Sequence, residues 1–278
     1  MTRQALFLFL AVTTTVLAQG NADSHKEFPS FKIAGNLYYV GTADLAVYLI
    51  NTPEGNILIN SDFEQDLPII KRSIEHLGFN YRDTKIILIS HAHSDHDAAT
   101  DLVRKETGAK LMVMDADVPE EESTAKGRPG AHVDRVLHDL ETVELGGSKL
   151  VAHLTPGHTK GCTTWTMQVR AGARTLNVVI VGGLNVNHGD ILIGNESYPG
   201  IAEDFTHAFT VLKNLPCDVF LGAHGAYFDL KAKYAKMRAD EGNPFIDPAG
   251  YKAYITERDD AFRKEWERQK QNPGSAAP

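Results

Sequence analysis

The chain has 278 residues, 42% of them hydrophobic and 23% charged, enough to bury a large core, so an intrinsically disordered protein is excluded. With 36 acidic and 28 basic residues its net charge is −8. That balance speaks against a nucleic-acid partner, because such affinity is built mainly from Lys and Arg contacts to phosphate.

The N-terminal stretch differs from the rest. Arg3 precedes an apolar run, ALFLFLAVTTTVLA (5–18), with Val16 and Ala18 at the small-residue positions of a signal-peptidase site. The run is shorter than the roughly 20 residues that a spanning helix needs. Cleavage after Ala18 is expected, giving a periplasmic or secreted protein with no membrane attachment afterwards. The remainder reads as a single domain over 19–270, expected as a monomer, and a tail, 271–278 (QNPGSAAP), expected to be disordered.

Short β-branched runs predict strands at 32–41, 46–52, 55–60, 85–90, 110–114, 149–155, 163–169, 176–182 and 218–222. Between them, Leu67, Ile70, Ile74 and Leu77 recur at helical spacing, as do Phe205, Phe209 and Leu212. A charged surface helix is predicted from Asp247-Pro248 to about 270. Early strands follow one another as hairpins and later ones alternate with helices. The pattern gives an α/β protein of two mixed halves, about 30–148 and 149–270, with two sheets face to face and helices outside.

After the strand at 85–90 comes HAHSDHDAAT (91–100), with His91, His93, Asp95, His96 and Asp97 within seven positions. On extended backbone His91 and His93 point the same way and can converge on one ion. Asp95 and His96 follow where the chain turns into a helix, which aims them at a neighbouring point. Asp97 is expected to cap that helix. A catalytic zinc usually takes three protein ligands and keeps a position open for water. Each pair therefore needs one more ligand, and the candidates are His158 in LTPGHTKG and His224 in LGAHGAY, both in Gly-containing loops after predicted strands. The other histidines read as ordinary surface or core residues, His153 as a satisfied core histidine.

HAHSDH (91–96), PGHT (156–159) and GAHG (222–225) resemble the metal-binding motifs of the metallo-β-lactamase superfamily. Residues 30–270 are similar in order and spacing to the class B zinc β-lactamases of the third subclass. The resemblance implies the four-layer αββα sandwich of that fold. It also implies two zinc ions, one on His91, His93 and His158 and the other on Asp95, His96 and His224. Segment 180–187 (IVGGLNVN) has neither the bridging Asp of many superfamily hydrolases nor the Cys ligand of the first subclass, and the second subclass typically has Asn where His91 stands. The implied activity is hydrolysis of the amide of penicillins, cephalosporins and carbapenems by a zinc-bridging hydroxide that Asp95 orients.

Two positions depart from the subclass. Gly183 stands where Ser is common, and Asn185 where Ser or Thr contacts the substrate carboxylate; Asn185 still offers an amide donor. The family's disulfides join the positions of Cys162 and Cys217 to partners that fall at about Gly182 and Gly250, so two free, mostly buried thiols are expected. Segments 113–132 and 183–200 are expected to wall the substrate groove. The motif also fits a hydrolase of the same fold acting on a lactone, thioester or phosphoester, or a non-catalytic zinc-binding protein of the periplasm. The missing bridging Asp and the leader count against the former; ligand sets with an open position count against the latter.

Overall fold

Alternation along the central strands decides the layering of this protein, for which the computed structural model describes residues 22–125 and 130–278. The expected leader, residues 1–18, lies outside the described residues. The first sheet runs in chain order through β1 (Phe31–Ala34), β2 (Leu37–Tyr39), β3 (Tyr48–Thr52), β4 (Gly55–Ile59), β5 (Thr84–Leu88), β6 (Lys110–Met114) and β7 (Arg135–Leu137). It is antiparallel as far as β4 and parallel beyond. Ile57, Ile59, Ile86 and Leu88 join the core shared with Leu150, Trp165 and Val178 of the second sheet. Their neighbours Leu58, Ile87 and Ile89 face the other way, onto Leu67, Ile70 and Ile74 of α1 (Leu67–His76) and Val103.

The second sheet has the order β12-β11-β10-β9-β8, from β8 (Thr142–Leu145), β9 (Ser148–Leu154), β10 (Thr163–Ala171), β11 (Arg174–Val181) and β12 (Val219–Gly222). Val178, Val179, Ile180 and Val181 of β11 are all buried, as a strand covered on both faces requires. The outer cover includes Phe205, Phe209 and Leu212, and Phe262 stacks on Phe205 with ring centroids 5.1 Å apart. The expected four-layer αββα arrangement is thus observed.

Polar bonds tie the sheets together at one end. Thr163 N–H donates to Ser90 O at 2.8 Å, and the Trp165 indole donates to Ile89 O at 3.0 Å. The Tyr48 hydroxyl reaches Gly222 O at 2.7 Å, and Ala46 N–H reaches Ala223 O at 3.0 Å. These anchors sit directly beside the histidine segments.

Several expectations change. The run 32–41 is a hairpin, β1 and β2, that turns at Gly35 and Asn36. The halves divide before β8, since β8 pairs with β9 and not with the first sheet. Asp97 is the last residue of the short helix Ser94–Asp97 and is the N-cap of neither helix; the next one, Thr100–Thr107, has Ala99 at its N-cap with no side-chain bond. The tail is not disordered. Ala277 is buried and exchanges two backbone bonds with Gly189 and Asp190, and Arg268 holds Ala276 O, so the chain end has partners that its composition does not advertise. Cys162 and Cys217 are free thiols, the first buried and the second half-buried. Among the described residues no helix is long and apolar enough to cross a membrane.

Candidate metal centre

Each proposed donor leaves the end of a strand. Beyond β5 the chain bends at Ser90, His91 and Ala92, where the His93 N–H donates to His91 O at 3.0 Å, and is extended at His93, with φ −113° and ψ 143°, before Ser94–Asp97 turns as a helix and carries Asp95 and His96. His158 follows β9, and His224 follows β12 on equally extended backbone. The histidines meet at the end of the sandwich where the interstrand anchors lie.

One nitrogen from each of His91, His93 and His158 lies within 4.8 Å of the others. The rings stand edge to face, with centroids 4.7 Å apart for His91 and His93, 4.5 Å for His91 and His158, and 4.9 Å for His93 and His158. A second grouping within the same limit holds Asp95 and His96 and again includes His91. His224 completes that side more loosely, its Nε2 3.5 Å from Asp95 Oδ2 and its ring 4.9 Å from that of His96. All six residues are therefore brought together, with His91 between the two groups.

Electrostatics prepare these groups to bind a cation. Burial, followed by the other imidazoles, holds His91 far below the ordinary histidine range. Burial pushes His96 down to about 3 and His158 down to about 4. The rings are therefore neutral near pH 7, with lone pairs available. For Asp95 burial acts upward, but His96, His224 and His93 outweigh it, and the carboxyl stays below its usual range and ionised. His91 and His96 are buried with neither ring nitrogen hydrogen-bonded, although His96 Nε2 lies 3.4 Å from Asp95 Oδ2. Unbonded polar atoms in a protein interior are costly. Four imidazoles, a fifth at the rim and one carboxylate form a donor set that suits zinc.

Residues outside the motifs hold these rings. His158 Nδ1 donates to the backbone O of Asn185 at 2.9 Å, which leaves Nε2 as the free acceptor. His224 Nδ1 faces Asp44 Oδ2 at 3.1 Å, and Asp44 also accepts the Ala226 N–H. A carboxylate behind a ligating histidine fixes its tautomer. Asp44, in the turn between β2 and β3, carries no sequence signal of its own. Asn185 is more engaged than its sequence suggests: its Oδ1 accepts from Arg258 Nη1 at 3.1 Å, and its Nδ2 donates to the Tyr227 hydroxyl at 3.3 Å. His153 is satisfied by the Thr166 hydroxyl at 2.8 Å. A groove of about 640 Å³ beside His153 contains none of the donors, so chemistry and not size locates the site.

Segment 180–187 reaches the site without supplying a ligand. A Cβ on Gly183 would fall 2.5 Å from His158 Cδ2, so the ring packs against bare backbone. Residues 45–224 match the family described as the metallo-beta-lactamase superfamily. The chain belongs to that superfamily. It is 52% identical to native FEZ-1 metallo-beta-lactamase from Legionella gormanii, over 90% of this chain and 98% of that one, with a TM-score of 0.86. BJP-1, a subclass B3 metallo-beta-lactamase of Bradyrhizobium japonicum, is 35% identical over 91% of this chain and 98% of its own, at a TM-score of 0.85. The class B3 di-zinc enzyme LRA-12 from an Alaskan soil metagenome is also 35% identical, over 88% and 96%, at 0.80. Within the superfamily, then, the chain resembles the third subclass, as its motifs imply.

The contact at Gly183 gives a test. A Gly183→Val variant, bulkier than the Ser common at this position, must displace His158 against its bond to Asn185, and its zinc affinity is expected to fall by about tenfold or more in chelator competition. Unchanged affinity would mean that the ring moves aside without cost.

Proposed function

We propose that this chain is an exported zinc-dependent β-lactamase with two metal sites, His91, His93 and His158 for the first and Asp95, His96 and His224 for the second. The observation that carries this reading is segment 180–187. It packs on His158 through Gly183 and Asn185 yet offers no carboxylate or thiolate, so the donor set is five histidines and one aspartate. Similarity at 52% identity to a metallo-beta-lactamase supports the same chemistry. When bound in such a site, paired zinc ions lower the pKa of water towards roughly 7 and polarise a carbonyl oxygen.

The protein's own groups do the rest. Asp95, ionised and between His96 and His224, accepts a hydrogen bond from the attacking water and fixes its direction towards the lactam carbonyl carbon. The water oxygen adds to that carbon, the strained C–N bond breaks, and the water's proton ends on the released nitrogen. Asp95 is the group placed to hold that proton in between. Asn185 keeps one N–H beyond its bond to Tyr227, and the Arg258 cation on its Oδ1 favours an anion there. We assign to it the carboxylate found beside the lactam in penicillins and carbapenems. The leader and the absence of a long apolar helix among the described residues fit export to the periplasm, where such an enzyme would confer antibiotic resistance.

The mature chain should open a penicillin and a carbapenem, lose that activity with chelator, and leave a simple lactone and a thioester untouched. Activity confined to lactone or thioester would overturn the reading. Replacing Asn185 by Ala is expected to raise KM for a penicillin about tenfold with little change in kcat, since a hydrogen bond to a charged group contributes roughly 1.5 kcal/mol or more. An unchanged KM would remove Asn185 from the substrate contact.

A further inference from the structure

Asp117 is a buried carboxylate outside every ligand motif, in the single turn Asp115–Asp117 that follows β6. Its Oδ2 accepts the Ala92 N–H at 3.0 Å and the Thr159 hydroxyl at 2.8 Å, and its Oδ1 accepts the Gly161 N–H at 2.6 Å. Ala92 lies between His91 and His93, and Thr159 directly follows His158. One side chain thus joins the two chain segments that carry the first three donors. Gly161 shows the same fit from the opposite side: a Cβ there would fall 2.5 Å from Asp117 N and 2.7 Å from its Cβ and Cγ, so the loop is bare where the carboxylate enters.

We propose that Asp117 is the positioning residue of the first metal site, setting the distance between the His91 and His93 pair and His158 without touching the metal. Three donors converge on two oxygens, and only a carboxylate accepts all of them. An Asn would turn an NH2 group towards one of those donors, and an apolar residue would leave all three without an acceptor. Two of the three bonds go to the His158 loop, which carries no donor of the second site, and the third goes to Ala92, between His91 and His93, so the second site, on Asp95, His96 and His224, should respond little. This inference rests on the assignment of the six donors to two zinc sites.

The test measures zinc dissociation constants by competition with a chromophoric chelator, without reference to activity. Asp117→Asn and Thr159→Val are each placed in a His224→Ala background, which keeps the first three donors, and in a His93→Ala background, which breaks them. With His224→Ala, Asp117→Asn should weaken the remaining ion 10- to 100-fold and Thr159→Val by less. With His93→Ala, both should change it within about twofold. Equal losses in the two backgrounds, or lower stability of the metal-free chain with an unchanged constant in the His224→Ala background, would make Asp117 a structural residue only and overturn the proposal. If Asp117→Asn does not fold, Thr159→Val carries the same comparison, because it removes one of the three bonds and leaves the carboxylate in place. A parent chain that binds no zinc would instead overturn the assignment of the metal sites themselves.

Discussion

The crowding of imidazole rings at one end of the sandwich is the constraint on which the neighbouring structure depends. The His91 ring centroid stands 4.4 to 4.7 Å from those of His93, His96 and His158, and His91 and His96 are buried with unbonded nitrogens. Such an arrangement gains little from burial, because polar nitrogens lose water and receive no partner in return. A cation reverses that balance, and the surrounding fold holds the rings where a cation needs them.

The fold does this by dividing labour between strands and loops. Strand ends deliver the rings to one edge. The bonds from Thr163 to Ser90, Trp165 to Ile89 and Tyr48 to Gly222 stop the two sheets from sliding there. The loops then aim individual atoms: Asn185 O selects the tautomer of His158, and Asp44 faces His224. Rigid elements with shaped loops at their ends are a recurrent way of combining precision with variable chemistry.

The sequence made the metal donors legible because they cluster within a few positions just after a strand. The expected extended backbone is not what joins His91 and His93, since the chain bends between them and the His93 N–H closes onto His91 O. The sequence also revealed the strands at 110–114 and 149–155 almost to the residue, since their β-branched and apolar runs are bounded by polar turns. The helix Leu230–Arg238 was not legible, because LKAKYAKMR buries little beyond Leu230 and Lys233 and shows no clear apolar stripe. Nor were Asp44, Asp117 and Arg258, single charged residues whose partners lie far away in the chain. The hairpin within 32–41 did carry a signal, the Gly35-Asn36 pair at its turn, which the short apolar runs on both sides outweighed. The tail was misread because three backbone and side-chain partners, not its own composition, hold it in place.

Zinc-edge anomalous diffraction from crystals of the mature chain grown with zinc tests the central claim most directly. Two peaks are predicted about 3.5 to 4 Å apart, the spacing of paired metal sites. One should be bounded by His91, His93 and His158 and the other by Asp95, His96 and His224. A single peak, or two peaks with other ligands, would contradict the two-site assignment.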